Sequence, residues 1–188
     1  MHDLVPLTAL GAAEARIDEF AGLTIREIPD IALASLAICH GKKAGFQRAV
    51  KKALASTLPA PGTSIATNDI TLFWTGVDQW MVEAPFASHE DLAAHLSASL
   101  KGNASITEQN DGWARFDLEG PLCVDVLQRL SNADSAGMAA AAVTRTAIDH
   151  LGCFLICRTA GQHFSILCPR SGAASLHHAV IAAVHSAL

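Results

Sequence analysis

The sequence predicts an α+β protein made of two similar halves, each with an antiparallel sheet and helices packed on one face of it. Residues 79–100 and 162–184 are two copies of one pattern, in which Gln opens an apolar strand that leads through Pro and Ser into a helix with Leu and His. The second copy begins 83 residues after the first. Because each copy has an apolar face to bury, two copies predict a pseudo-twofold domain with both faces covered.

The composition is that of a globular protein. The chain has 188 residues, of which 51% are hydrophobic and 16% are charged, and its net charge is -5. This length supports a full core, either in one large domain or in two small halves. A surface with so few charges is expected to face a partner over part of its area. The negative charge disfavours nucleic acid as that partner.

Location is predicted from the N-terminus and from the most apolar helix. His2 and Asp3 stand where a secretory signal needs Lys or Arg, and no apolar stretch follows them. The helix predicted over 173–188 contains three His and is shorter than the ~20 residues that cross a bilayer. We therefore expect a cytoplasmic protein without a membrane segment.

Residues 1–22 show no sustained periodicity and are predicted to form an extended N-terminal arm. An apolar arm with no fold of its own is expected to lie along another surface, so it is a candidate partner interface. The apolar residues that carry this prediction are Leu4, Val5, Leu7, Leu10 and Ile17.

Residues 23–188 are predicted to form a single pseudo-symmetric domain with halves at about 23–102 and 103–188. In the first half, Phe46, Val50 and Leu54 recur at helical spacing, and Gly76-Val77-Asp78 connects a hairpin. Each half is roughly β-β-α-β-β-α. The first half has predicted strands at 23–28, 31–38, 70–75 and 79–84, with helices at about 42–56 and from Ser88, where Asp91 completes a capping box, to near Leu100. The second has strands at 105–109, 113–118, 144–149, 153–158 and 162–167, a helix with Leu122, Val126, Leu127 and Leu130 inward, and a last helix capped by Ser171.

No catalytic residue and no metal site is predicted. A Cys-x-x-Cys pair, a Gly-x-Ser-x-Gly elbow and a glycine-rich phosphate loop are all missing from the sequence. His177 and His178 lie ~100° apart on a helix and are therefore better suited to contacting a partner, or to forming plain surface, than to binding one ion. The cysteines lie in apolar segments and are interpreted as reduced core thiols; they are Cys39, Cys123, Cys153, Cys157 and Cys168.

Basic residues cluster on the polar face of the first long helix. They are five of the thirteen Lys and Arg of the chain: Lys42, Lys43, Arg48, Lys51 and Lys52. A solvated face is the first interpretation, docking of an acidic partner the second, and nucleic acid the third.

Two tryptophans and two arginines are the candidate ligand-binding residues. Trp74 and Trp80 flank the first hairpin turn, and Arg145 and Arg170 lie in the second half. A pocket at the junction could stack a flat ring on the indoles and pair a carboxylate with the arginines. Ordinary packing and ion pairing would explain the same residues.

The chain resembles, from end to end, the gamma subunit of heterotetrameric sarcosine oxidase. That family is in turn similar to the folate-binding aminomethyltransferase domain, whose duplicated halves agree with the repeat. The residues that carry the resemblance are Pro6-Leu7-Thr8, residues 32–37 (ALASLA), 73–80 (FWTGVDQW) and 113–120 (WARFDLEG), Thr144-Arg145-Thr146, Pro169-Arg170-Ser171 and Leu176-His177-His178.

The resemblance implies a non-catalytic accessory subunit. The complex it implies demethylates sarcosine oxidatively to glycine, transfers the one-carbon unit to tetrahydrofolate and forms hydrogen peroxide. FAD, FMN, NAD, zinc and tetrahydrofolate would be carried by other subunits, and the partners would be the alpha, beta and delta subunits. The alternative is an independent protein that binds a folate-like ligand at the two tryptophans and two arginines; an enzyme in its own right ranks last.

Overall fold

The computed structural model describes residues 5–188. Their strands are β1 (Ile17–Phe20), β2 (Leu23–Ile28), β3 (Ile31–Ile38), β4 (Ser64–Thr67), β5 (Ile70–Gly76), β6 (Gln79–Pro85), β7 (Ala104–Glu108), β8 (Trp113–Glu119), β9 (Val143–Ile148), β10 (Leu151–Thr159) and β11 (His163–Pro169). The α-helices are α1 (Lys43–Leu54), α2 (Leu92–Leu100), α3 (Cys123–Leu130) and α4 (Ala173–Ala187). None of these helices has the length and hydropathy that crossing a membrane requires.

The chain divides into two compact units, each built on one antiparallel sheet. Of the described residues, 5–29 together with Asp111–Leu188 form the first unit, and Asp30–Asn110 form the second. The first sheet has the strand order β1-β2-β8-β11-β10-β9, and the second has the order β4-β5-β6-β3-β7. Without the edge strand β1, the two orders are the same when β4 is matched with β9 and β7 with β2. This match confirms the predicted duplication and the α+β class.

Two strands are exchanged relative to the predicted halves. β2 comes directly before β3 in the chain but pairs with β8, and β7 comes directly before β8 but pairs with β3. The first strand of each half therefore lies in the sheet of the other unit, and the compact units do not coincide with residues 23–102 and 103–188. Periodicity shows which face of a strand is buried, whereas its partner is chosen by long-range backbone pairing.

Three local predictions are corrected. β4 was not predicted, so each half reads β-β-α-β-β-β-α rather than β-β-α-β-β-α. Ser88 closes a short 3₁₀ turn, Phe86–Ser88, and α2 begins four residues later without a side-chain cap. Ser171 lies in a second 3₁₀ turn, Arg170–Gly172, and does not cap α4. Both serines thus lie in the 3₁₀ turns that follow a Pro and lead into the helices, and neither caps a helix with its side chain.

Helices cover one face of each sheet, as predicted. In the first unit, α3 and α4 bury Val126, Leu127, Leu176 and Val180 against alternate residues of β2, β8, β10 and β11. In the second unit, α1 buries Phe46, Val50 and Leu54, and α2 buries Leu92, Leu96 and Leu100, against β3, β5 and β6. The 3.6-residue period of the helices and the two-residue period of the strands produce these faces.

The predicted arm is part of the first unit over most of its described length. Ile17–Phe20 is a strand that pairs with β2, so this part of the predicted arm belongs to a sheet and does not lack a fold of its own. The buried Glu27 carboxylate accepts hydrogen bonds from the backbone N–H groups of Leu10 (3.0 Å) and Arg16 (3.2 Å). Val5 and Leu7 remain exposed, while Leu4 lies outside the described residues.

Candidate functional site

A cleft in the second unit contains both predicted tryptophans. Its volume is about 410 Å³, and it opens beside the β5–β6 hairpin and the N-terminal half of α1. The walls are mainly apolar, with three polar side chains among them, which is the usual composition of a small-molecule site. The lining residues are Ile38, Lys43, Gln47, Leu58, Pro59, Pro61, Trp74, Val77, Asp78 and Trp80.

Trp80 is the fixed wall of this cleft. It pairs directly across the hairpin with Trp74, so both indoles lie on the same face of the sheet. Its Nε1–H donates to the carbonyl of Pro59 at 3.0 Å, and its ring centroid lies 5.7 Å from that of Phe46. Trp80 is 7% exposed, whereas Trp74 is only partly buried. Trp74 therefore has ring surface available to a ligand.

The polar groups lie at the mouth of the cleft. Lys43 Nζ is 4.0 Å from Asp78 Oδ1, and both side chains are largely exposed. Asp78 occupies the hairpin turn with φ of 54°, a left-handed conformation that Asp tolerates better than most residues. Gln47 adds an amide one turn along α1 from Lys43. A planar ligand on Trp74 could thus have a carboxylate paired with Lys43 and a donor paired with Asp78.

The two predicted arginines belong to the first unit. Arg145 lies on β9, with its guanidinium 5.7 Å from the centroid of the Phe154 ring. Arg170 follows β11, and its Nη2 donates to the carbonyl of Leu7 at 2.9 Å. Within this unit one arginine stacks on a phenyl ring and the other holds the arm. Of the four predicted residues, the structure brings Trp74 and Trp80 into one cleft and places both arginines in the other unit.

A buried polar network on β8 and β11 was not predicted. Asp117 is 3% exposed and accepts hydrogen bonds from Arg115 Nε at 2.7 Å and from Ser165 Oγ at 2.6 Å. His163 Nε2 donates to the second carboxylate oxygen at 3.2 Å, and Arg158 Nε donates to Ser165 Oγ at 2.8 Å. The sequence signal is the alternation of polar and apolar residues in two strands, a pattern that belongs to no catalytic motif.

Asp117 is held in its ionised form. Burial favours the neutral acid, but the hydrogen bonds from His163, Arg115 and Ser165, together with the charge of Arg115, lower the pKa of Asp117 well below its ordinary value. Asp117, Glu119 and His163 place potential metal-ligand atoms within 4.8 Å of one another. However, both oxygens of Asp117 already accept from Arg115, and a cation there would be repelled by its guanidinium. This chemistry is that of an ion-pair network.

The thiols of the core are protonated. Burial raises the pKa of Cys123 and of Cys168 to about 12 and that of Cys153 to about 11. Because the thiolate is the nucleophile, these groups are unreactive at neutral pH. All five cysteines are free, and four of them are buried in the core as predicted, whereas Cys39 is only partly buried.

The two predicted partner-contact histidines have different surroundings. His177 is half-buried, and its Nε2 donates to Asp18 Oδ2 at 2.7 Å. Hydrogen bonds from Arg16 and then from His177 lower the pKa of Asp18, against the effect of burial. His178 is exposed beside a shallow cleft of about 390 Å³ between α3 and α4. His177 thus fixes β1 inside the first unit, and His178 is the one of the pair that reaches the surface.

Comparison with known proteins identifies the fold. No family model matches the chain, and no curated protein matches it at a significant level. Heterotetrameric sarcosine oxidase from Corynebacterium sp. U-96, solved with pyrrole 2-carboxylate, contains a similar chain with 22% identity and a TM-score of 0.77 over 87% of this chain and 84% of that one. Aminomethyltransferase T of the glycine cleavage system from Bartonella henselae has 15% identity and a TM-score of 0.61 over 89% of this chain, which spans 53% of that longer protein. The chain therefore has the fold found in a chain of heterotetrameric sarcosine oxidase and in about half of aminomethyltransferase T.

Proposed function

We propose that this chain is a non-catalytic accessory subunit, of the gamma type, in a heterotetrameric sarcosine oxidase. The complex would demethylate sarcosine oxidatively to glycine, pass the one-carbon unit to tetrahydrofolate and form hydrogen peroxide. One observation carries the proposal: the fold similarity to a sarcosine oxidase chain extends over 87% of this chain and 84% of the other. Because these two chains are similar in length and fold, we expect them to occupy equivalent places in their assemblies. Aminomethyltransferase T, in contrast, is about twice as long as this chain.

The chemistry of the described residues supports an accessory role. The buried thiols are protonated, and the Asp117 carboxylate already accepts from three side chains. A general base needs a free lone pair within reach of its substrate, and a nucleophile needs a neighbouring base. FAD, FMN, NAD, zinc and tetrahydrofolate are accordingly proposed to be held by the alpha, beta and delta subunits in the cytoplasm.

The exposed start of the arm is the proposed contact with another subunit. Val5 is 67% exposed and Leu7 is 55% exposed, while the Leu7 carbonyl is held by Arg170. The backbone is therefore anchored next to apolar side chains that residues 5–188 leave uncovered. Burying such side chains at an interface contributes free energy in proportion to the apolar area removed from water.

Co-expression with the other three subunits tests this role. The expected product is a yellow complex that contains this chain and oxidises sarcosine, measured by native mass, visible absorption and peroxide formation. The variant V5D/L7D should reduce incorporation, since burying a carboxylate at an apolar interface is unfavourable. L188D, which places the same charge at another exposed apolar position, is the control. A colourless species of one chain would contradict the proposal.

The Trp74 cleft favours a second candidate, an independent binder of a folate-like ligand. The observation behind it is the convergence of an available indole, a lysine and an aspartate in about 410 Å³. Titration with folate should quench tryptophan fluorescence in the wild type. The quenching should disappear in W74L and persist in W113F, which removes another of the three tryptophans. A signal that stays flat across the titration would remove this candidate.

A further inference from the structure

A second cleft of the folded unit Asp30–Asn110 is formed by basic side chains. It lies between α1 and α2 and has a volume of about 510 Å³. Arg48, Lys52 and Lys101 are exposed around it, and the half-buried Ala49 and Ala53 lie at its base. The cleft is thus an open groove with a small-residue base and cationic sides.

The charge of this groove is not neutralised within the described residues. No carboxylate lines it, and α1 contains no acidic residue at all. None of its three cations forms an ion pair within residues 5–188, although Lys43 on the same helix does pair with Asp78. This concentration of positive charge occurs in a chain whose net charge is -5. An acidic partner is therefore repelled by most of the surface and attracted to this groove.

Stabilisation of helix C-termini by positive charge explains only some of the basic residues around the groove. Lys52 lies in the last turn of α1, and Lys101 follows the last residue of α2, so both complement the partial negative charge of a helix C-terminus. Arg48 lies one turn before Lys52 on the same side of α1, where this effect has decayed. Its guanidinium adds a charge that the helix end does not require.

The geometry disfavours a compact anion such as phosphate. Small anions bind where backbone N–H groups converge at a helix N-terminus, whereas α1 and α2 present their C-terminal carbonyls near this groove. Arg48 and Lys52 are spaced i, i+4, and Lys101 extends from the other helix. Charges on long side chains spread over a groove suit several separate carboxylates. No aromatic side chain lines the groove to stack a base, which disfavours single-stranded nucleic acid.

We propose that the groove between α1 and α2 docks an acidic segment of another protein. Carboxylates one helical turn apart face Arg48 and Lys52, a further carboxylate faces Lys101, and the backbone of the segment lies over Ala49 and Ala53. Asn103 also lines the groove, and its Nδ2 donates to the carbonyl of Leu100 at 2.7 Å. This site is separate from the Trp74 cleft and does not depend on the proposed accessory role.

Fluorescence anisotropy with two labelled peptides of about 15 residues tests the proposal, since helices of that length are the shortest that persist in water. Both peptides contain the same Glu and Ala residues, but in one the Glu residues repeat at i, i+4 on a single face, and in the other they are scattered. The full chain is compared with R48E/K52E. The control K42E/K51E makes the same change in charge at the N-cap position of α1 and within α1, at residues that do not line the groove.

The expected result is binding of the one-faced peptide, weakened about tenfold in R48E/K52E and less than about threefold in the control, because reversal replaces two attractions by two repulsions. The scattered peptide should bind more weakly than the one-faced peptide. Equal weakening by both variants would show unspecific attraction and overturn the proposal, as would no binding at low salt. Tighter binding of a single-stranded oligonucleotide or of inorganic phosphate would also overturn it. Circular dichroism of each variant confirms that the fold is retained.

Discussion

Equivalent strand positions carry a buried polar network in the first unit and ordinary sheet packing in the second. On β8 and β11 of the first unit, the pairs Asp117–Ser165 and Glu119–His163 form a polar network. The register places Ser35–Met81 and Ala37–Gln79 at the matching positions of β3 and β6 in the second unit. One fold can thus hold a buried ion pair or ordinary sheet packing at the same place, depending on a few side chains.

The hairpin beside the Trp74 cleft shows the reverse, because here the second unit is the one that differs from ordinary core packing. Trp74 and Trp80 pair across β5 and β6, and the pair at the matching position of β10 and β11 is Cys157–Phe164. Cys157 and Phe164 are fully buried, whereas Trp74 is only partly buried. A large amphipathic indole keeps ring surface available to a ligand where a small thiol and a phenyl ring fill the core. Among the described residues at this position, only those of the second unit leave an aromatic ring partly exposed.

The largest expected effect comes from breaking the ion network. D117N should lower the free energy of unfolding by about 3 kcal/mol, because it removes the negative charge of Asp117 from beside the largely buried Arg115. S35A, at the matching position of the other sheet, should cost less than about 1 kcal/mol. Urea unfolding followed by circular dichroism measures both variants. Equal costs at the two positions would mean that the network does not stabilise the first unit.

The difference in stability between wild type and D117N should depend on pH in the acid range. The pKa of Asp117 is lower in the folded protein than in the unfolded chain, so the unfolded chain binds the proton first. The stabilisation is complete above the unfolded value of about 4 and is lost as pH falls toward the folded value. The difference in unfolding free energy between wild type and D117N should therefore shrink below pH ~4. S35A should keep a constant offset from wild type, and a D117N difference that does not change with pH would contradict the assignment.

A smaller loss is expected from the fixed wall of the Trp cleft. W80F removes the hydrogen bond to the Pro59 carbonyl and part of a buried ring, so it should cost about 2 kcal/mol. W74F changes the half-exposed partner and should cost less than about 0.5 kcal/mol. Thermal unfolding of the two variants gives the comparison. If W74F were the more harmful change, the roles of the two indoles would be reversed.

Substitution of Lys43, at the mouth of the Trp74 cleft, is expected to have the smallest effect on stability and the clearest effect on ligand binding. K43Q should change the free energy of unfolding by less than about 0.5 kcal/mol, since its pair with Asp78 is exposed. It should weaken any carboxylate ligand of the Trp74 cleft severalfold, as measured by fluorescence titration. K42Q, one residue earlier and outside the lining, is the matched control. Equal affinities for K43Q and K42Q would place the ligand carboxylate elsewhere.

Much of the fold could be predicted because its signals are local. Phe46, Val50 and Leu54 lie at helical spacing, and α1 follows from them. The alternation of Arg115, Asp117 and Glu119 with apolar residues marks β8 as a strand. The strand β4 was missed because only four residues, between a Pro-rich turn and a short connection, carry its signal.

The candidate site could be predicted only in part. Trp74 and Trp80 are six residues apart across a turn, so their pairing follows from the hairpin. The other wall, from Leu58 to Pro61, belongs to a loop that has no periodic pattern, and the packing of this loop brings it to the cleft. Arg145 and Arg170 have contacts to Phe154 and Leu7 that no spacing in the sequence indicates.

The sequence by itself determined the α+β class, the duplication, the position of most elements and the burial of the thiols. These properties depend on the period and the hydropathy of the side chains, which can be determined from the sequence alone. Only the tertiary structure decided that β2 pairs with β8 and β7 with β3, that Asp117 meets Arg115 and Ser165, and that a cleft opens beside Trp74. Backbone hydrogen bonds between strands are the same for every side chain, so the choice of partner is made by the packing of the whole unit.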